Sequence, residues 1–200
     1  SKTACRLRLS WDMQALLVSS GEKGRAMLTE LMRGAGPFDF TVAGSGSEAR
    51  RLSAEMEYDL IVINAPLSDE YGDGLSMTLA MDTSSGILLL VRAENEDEVS
   101  SKVEDMGVMV LGKPLGRAMF YQALKMVTAA HRRMMGLKSE NLQLQKKIDE
   151  IRLVDRAKCA LIQYLSMTEA QAHRYIEKQA MDRRTTRGRV AQSIIEIYEQ

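Results

Sequence analysis

Residues 59–74 read DLIVINAPLSDEYGDG, and the interpretation of this stretch decides the first half of the chain. Leu60 to Ile63 are four apolar residues in succession, followed by Asn64 and a loop holding Pro66, Gly72 and Gly74. An apolar run closed by turn residues is the pattern of a buried strand, and open α/β sheets place their chemistry at the carboxyl ends of such strands. A carboxylate at this position would accept a phosphoryl group or hold a metal. Asn64 is uncharged and forms no acyl phosphate, so the strand end lacks the reactive atom.

Similar runs recur on both sides. Ala15–Val18 ends in Ser19 and Ser20, and a helical stretch with Met27, Leu28, Leu31 and Met32 follows. Phe38–Val42 reads as a second strand and Ser47–Met56 as a helix. After the opening stretch come a helix over Leu75–Met81, a strand at Ile87–Val91 and a short polar helix over Glu96–Asp105. A strand at Val108–Leu111 and a helix from about Arg117 to Ala130 complete the series. Five β/α repeats with apolar strands predict a parallel sheet covered on both faces.

This order, with GKPLG at 112–116, resembles the receiver domain of two-component response regulators over about residues 13–130. The resemblance implies a flavodoxin-like fold and a site of acids that binds magnesium and takes a phosphoryl group. Ser19 and Ser20 stand at the acid pair after the first strand, Asn64 at the phosphoacceptor, and Arg92 at the usual Thr or Ser. Lys113 alone is unchanged. A hard divalent cation wants charged oxygen ligands and in-line attack wants an anionic nucleophile, so phosphorylation by the usual route is not expected. Asp69, Glu70 and Asp73 read as a solvated acidic turn. The domain is expected to be a pseudo-receiver.

Composition excludes several classes. With 45% hydrophobic and 27% charged residues the chain reads as globular, and its longest aliphatic run, Ile87–Val91, is too short to span a bilayer. No secretory leader pattern opens the sequence, and a cytoplasmic protein is expected. Two cysteines, Cys5 and Cys159, provide neither a disulfide framework nor a cysteine-based zinc site. Two histidines with no Ser/His/Asp or Cys/His arrangement suggest no enzyme, and neither cofactor nor metal is expected. Net charge is zero, yet residues 1–130 carry 13 Lys/Arg against 18 Asp/Glu, whereas residues 131–200 carry 14 against 9. An acidic domain joined to a basic segment suggests an anionic partner for the latter.

Between Ala130 and Ile151 the residues Met134, Leu137, Asn141, Leu144, Ile148 and Ile151 alternate steps of three and four, the spacing of a coiled-coil seam. Asn141 falls at an a position, where a buried amide fixes register in a parallel dimer. A homodimer through this helix is expected. The seam stops at Asp155 and Lys158, and a new apolar face begins with Val154, Ala157, Leu161 and Leu165. Thr168-Glu169-Ala170-Gln171 is a capping-box pattern starting a second helix with Ala172, Tyr175, Ile176 and Ala180 inward. Thr185 and Thr186 are caps for a third helix carrying Val190, Ile194, Ile195 and Tyr198. Tyr175 and Tyr198 read as core aromatics and His173 as a surface histidine.

The segment VDRAKCALIQYLSMTEAQAHRYIEKQAMDRRTTRGRVAQSII resembles the ANTAR domain, the RNA-binding module of bacterial antitermination regulators. The matching features are Arg156-Ala157-Lys158, Leu161, Thr168-Glu169-Ala170, Tyr175, Ala180-Met181, Arg183-Arg184 and Val190-Ala191. Gly188 is a departure, early in the third helix, where glycine costs about 1 kcal/mol of helix propensity. The resemblance implies binding to paired stem-loops of leader RNA, which keeps a terminator hairpin from forming. Arg183, Arg184, Arg187 and Arg189 cluster at the turn into the third helix, where guanidinium groups and helix N-terminal amides both favour phosphate, and Lys158 is expected to add to them.

The expected organisation is a pseudo-receiver domain over 1–130, a coiled-coil linker helix over 131–153 and a small all-α three-helix ANTAR domain over 154–200. The expected function is an RNA-binding antiterminator, its input a regulatory protein or small ligand acting on the receiver-like domain without phosphorylation. Two alternatives stand beside it: a DNA-binding response regulator, and a coiled-coil protein-interaction module that binds no nucleic acid. A DNA reader needs a polar recognition helix, and beyond Arg187 and Arg189 the third helix is mostly apolar and acidic.

Overall fold

A computed structural model describes residues 13–36 and 38–198. The first dozen residues, with Cys5, lie outside the described part.

The alternating apolar runs form five strands: β1 (Met13–Val18), β2 (Phe38–Ala43), β3 (Leu60–Asn64), β4 (Gly86–Arg92) and β5 (Val108–Lys113). All neighbours pair in parallel, in the order β2-β1-β3-β4-β5. Parallel strands need crossovers, supplied by α1 (Glu22–Ala35), α2 (Gly46–Glu55), α3 (Asp73–Asp82) and α4 (Glu96–Val103), with α5 (Arg117–Leu165) following β5. This is the flavodoxin-like order expected from the sequence.

The period-two geometry of a strand divides its residues between two cores. Ile61 and Ile63 of β3 face a cluster with Ala49, Leu75, Leu79, Val99 and Val103, on the side of α2, α3 and α4. Leu60 and Val62 face Leu28, Met32, Phe120, Leu124 and Val127, on the side of α1 and α5. Because β3 is buried on both faces, its four apolar residues run without interruption.

The chain divides into two compact units between Met135 and Gly136. The helix after β5, the linker and the first helix of the C-terminal module, distinct segments by sequence pattern, form one continuous helix, α5. In the second unit α5 is joined by α6 (Glu169–Asp182) and α7 (Arg187–Tyr198) around a core of Val154, Ala157, Leu161, Ile176, Val190 and Ile194. Ala160 joins this core, whereas Leu165, expected inward, is exposed. Among the described residues no helix is long and apolar enough to cross a membrane.

Candidate functional site

Two places in the fold bear the residues singled out by sequence. The first is the carboxyl end of the sheet, where a receiver would hold its metal and phosphoryl group. Ser19 follows β1 and is buried, and its Oγ accepts a hydrogen bond from Asn64 Nδ2 at 3.1 Å. Asn64 Oδ1 in turn accepts from Lys113 Nζ at 2.9 Å, and Lys113 also donates to the Ala65 carbonyl. Ser20 turns aside: its Oγ donates to the Gly44 carbonyl at 2.6 Å and accepts from Ser68 N at 2.8 Å. Arg92 ends β4 directly opposite Lys113 in register, exposed and 3.7 Å from Glu94. The structure thus brings Ser19, Asn64 and Lys113 into one neutral-to-cationic chain of hydrogen bonds. Burial, and then the nearby Arg92, push the Lys113 amine below its ordinary value.

Gly24, in the first turns of α1, explains how closely this site is covered. A Cβ there would lie 2.5 Å from Asn64 Nδ2 and 2.6 Å from Ser19 Oγ. Glycine inside a helix costs about 1 kcal/mol relative to alanine, and here it lets α1 approach the strand end.

Of the acids expected as a solvated turn, Asp69 is exposed as expected, but it and the half-buried Glu70 have fixed partners. Asp69 accepts from Gly46 N and Ser47 N, each at 2.9 Å, and from Ser47 Oγ, so it caps the N-terminus of α2 across the loop. Those backbone donors hold its carboxyl at about 2, below the ordinary 3.8. Glu70 forms a bidentate pair with Arg50. Both carboxylates are committed to α2. Among the described residues no group of three or more His, Cys, Asp or Glu is placed to hold a metal.

The second place is the C-terminal three-helix unit. The capping box is present as expected: Thr168 Oγ1 accepts from Gln171 N, and the Gln171 side chain accepts from Thr168 N. Thr186, rather than Thr185, caps α7 by accepting from Arg189 N at 3.3 Å. Between α6 and α7 the chain turns through Arg184, which has φ +49°. Thr185 N donates to Ala180 O at 2.9 Å and Arg184 N to Met181 O at 3.1 Å, the paired bonds of a Schellman motif. The residue in left-handed conformation there is usually glycine, so an arginine is held in a sterically costly backbone.

Arg183, Arg184, Arg187 and Arg189 are all exposed around this turn, with Arg187 3.8 Å from Glu177. Lys158 differs. Its side chain is 17% exposed, 3.0 Å from Asp155 and 3.7 Å from Glu169, and the Asp155 hydrogen bond raises its affinity for the proton. It ties α5 to the start of α6 while lining a cleft.

That cleft, of about 430 Å³, is walled by Lys147, Glu150, Asp155, Lys158, His173 and Arg187 over a floor of Ile151 and Val154. Gly188 lies outside this cleft: a Cβ there would lie 3.2 Å from Glu150 Cγ, so the residue that departs from the family pattern sits where α7 approaches α5. Sequence reasoning did not single out Lys147, and it read His173 only as the surface histidine that it is. Their spacing to Arg187 carries no signal, because three helices must fold before they share a wall. Tyr175, expected inward, is 38% exposed, since Ala172, Ile176 and Ala180 already fill the inner face of α6. Tyr198 packs against the core and stacks on Tyr164 at 5.6 Å.

The seam residues Leu137, Leu144, Ile148 and Ile151 are 58, 52, 44 and 60% exposed, and Met134 and Asn141 are exposed as well. None contributes to the core of either unit.

Comparison with known proteins agrees with both parts. Residues 142–195 match the ANTAR domain. The chain is 30% identical over 173 residues to the transcriptional regulatory protein PdtaR of Mycobacterium tuberculosis, in two strains, covering 86% of this chain and 84% of that protein. The signal receiver domain of an HD domain-containing protein from Pseudomonas fluorescens superposes with a TM-score of 0.56 at 23% identity, over 62% of this chain and 92% of its own. A two-component response regulator from Clostridium difficile gives 0.53 at 24%, over 61% and 98%. These two establish the receiver fold alone. The chain belongs to the ANTAR-domain transcriptional regulators, and its receiver-like domain lacks the phosphoacceptor aspartate.

Proposed function

We propose that this regulator is an RNA-binding transcription antiterminator, controlled through its receiver-like domain without phosphorylation. Leader-RNA stem-loops are its targets, as the ANTAR resemblance implies. The observation that carries the reading is the basic turn at 183–189: four exposed arginines on a capped helix start, one of them held at φ +49°. A fold that spends backbone strain to keep an arginine where glycine would relax gains something from that side chain. Phosphate contacts are the natural return, since a planar guanidinium binds phosphate oxygens in a bidentate way.

Dimerisation through Met134, Leu137, Asn141, Leu144, Ile148 and Ile151 belongs to the same proposal. It would bring two such turns onto paired stem-loops and remove the seam from water. A cytoplasmic location follows from the function. Regulation without phosphate rests on Asn64 and on the commitment of Asp69 and Glu70 to α2.

The test is a gel-shift comparison of the full chain against a twin-stem-loop RNA and a duplex DNA at stated salt. Preferential RNA binding, weakened in Arg183→Ala and Arg187→Ala with the fold intact, is the expected result. Equal binding to DNA, or unchanged RNA affinity in both variants, would refute the site. Incubation with a small phosphodonor and magnesium is expected to give no mass gain of a phosphoryl group; a stable adduct would refute phosphorylation independence.

A further inference from the structure

We infer that Thr186 is a phosphorylation site for an arginine-directed Ser/Thr protein kinase, and that the phosphate ester formed there switches the basic turn off. The inference rests on the reading that the arginines of this turn bind RNA, and it adds a control that acts on the turn directly. The surrounding sequence is Arg183-Arg184-Thr185-Thr186-Arg187-Gly188-Arg189. Thr186 is exposed, whereas Thr185 is half-buried. Arginines stand three and two residues before Thr186, a charge pattern by which kinases tell one hydroxyl from another.

The hydroxyl is accessible. Thr186 Oγ1 accepts from Arg189 N at 3.3 Å, a long bond, and the residue borders a shallow groove of about 380 Å³ with room for a phosphoryl group. Opening the turn to enter a kinase cleft releases Arg184 from its left-handed backbone, and helix ends open at low cost. In the transfer, Oγ1 attacks the γ-phosphorus of a nucleoside triphosphate while the bond from that phosphorus to its bridging oxygen breaks. Nucleoside diphosphate leaves, and the hydroxyl proton passes to the kinase's base. The product is an ester in the C-terminal unit, not the acyl phosphate that Asn64 cannot form.

Charge decides the consequence. Residues 182–189 hold four arginines and Asp182, a net of +3. Asp149 and Glu150 share the groove with Lys146, and Glu177 lies 3.8 Å from Arg187. These three acids and one lysine reduce the local sum to +1. A phosphate ester adds about −1.5 to −2 at neutral pH, so the sum changes sign. Its oxygens also compete, within the chain, for the guanidinium groups that RNA phosphates would use. At the first turn of α7 an anion is favoured by the unpaired backbone N–H groups, so the fold is not weakened. Stability and RNA affinity should therefore respond in different directions.

The full-length protein is incubated with ATP, magnesium and a purified arginine-directed Ser/Thr kinase, and the phosphate is located by fragment mass spectrometry. Incorporation at Thr186 is expected, retained in Thr185→Val and lost in Thr186→Asn, which keeps a preferred cap and removes the acceptor. Affinity of the modified protein for the twin-stem-loop RNA is expected to fall by about tenfold or more, with a salt slope lower by about one to two, and with no fall in Tm. Kinase-treated Thr186→Asn should bind RNA as the untreated variant does. No incorporation, incorporation at Thr185 instead, RNA affinity unchanged by the ester, or a lower Tm accompanying the lost affinity would overturn the switch. Failure of the unmodified protein to bind the RNA would instead overturn the reading on which the switch rests.

Discussion

Replacement of Arg184 by glycine separates stability from binding in a way that few substitutions can. At φ +49° a residue with a Cβ meets the steric penalty of the left-handed region, about 1–2 kcal/mol, which glycine escapes. Glycine also gains freedom in the unfolded chain, which returns about 0.4–1 kcal/mol. The Schellman hydrogen bonds from Thr185 N and Arg184 N are backbone bonds and survive the change. The net expectation is that Arg184→Gly is neutral or stabilising by up to about 1 kcal/mol, equivalent to a rise of a few degrees in Tm for a unit of this size. RNA affinity should move the other way. Loss of one phosphate contact lowers the slope of log K against log salt by about 0.7–0.9. Arg184→Ala keeps the strain and loses the charge, so it should bind like the glycine variant without its stability. Urea unfolding read by circular dichroism and filter binding at four salt concentrations give both quantities. If Arg184→Gly destabilises the unit by more than about 1 kcal/mol, or binds RNA with the wild-type salt slope, the case for a functional strained arginine is refuted.

Gly136→Ala places a methyl group where nothing lies within 4 Å, inside a helix, and is expected to stabilise α5 by up to about 1 kcal/mol in thermal unfolding. The folded-state lowering of Asp69 means that its contribution to stability is present above its ordinary value of 3.8 and is lost as pH falls through about 2. Acid titration of the receiver-like unit should therefore show a stability loss across that window, and Asp69→Asn should flatten it. Leu144→Glu with Ile151→Glu is expected to convert a dimer into a monomer with unchanged helix content, measured by sedimentation. In contrast, Asn141→Leu should tighten association and loosen its register.

Much of the fold was legible because its signals are local. The apolar run at 60–63 and the capping box at 168–171 each need only neighbouring residues to be recognised. The absence of acids from positions 19, 20 and 64 was equally visible, since Ser19, Ser20 and Asn64 lie at strand ends that the pattern locates. What escaped depends on partners far apart in sequence. Asp69 caps a helix that begins 23 residues earlier, so its spacing showed only an acidic turn. The pairing of Lys158 with Glu169 was not legible either, because α6 must fold back on α5 before the two meet. The left-handed Arg184 carries no sequence mark at all, because glycine is the residue that pattern reading seeks there. Tyr175 was misplaced for a related reason: helical periodicity brought it close to the inner face, but three smaller residues had already filled the space.

The unbroken course of α5 gives the stretch from Leu137 to Ile151 an unusual position. It shares its hydrogen-bond ladder with both units yet is clamped by the core of neither, which end at Val127 and begin at Val154. Local opening there would cost little in a lone chain, because isolated helical turns have marginal stability in water. Association along the seam would change that cost more than anywhere else. Amide exchange across these fifteen residues would therefore act as a built-in gauge of assembly, fast in the solitary chain and slow once two copies close around Asn141.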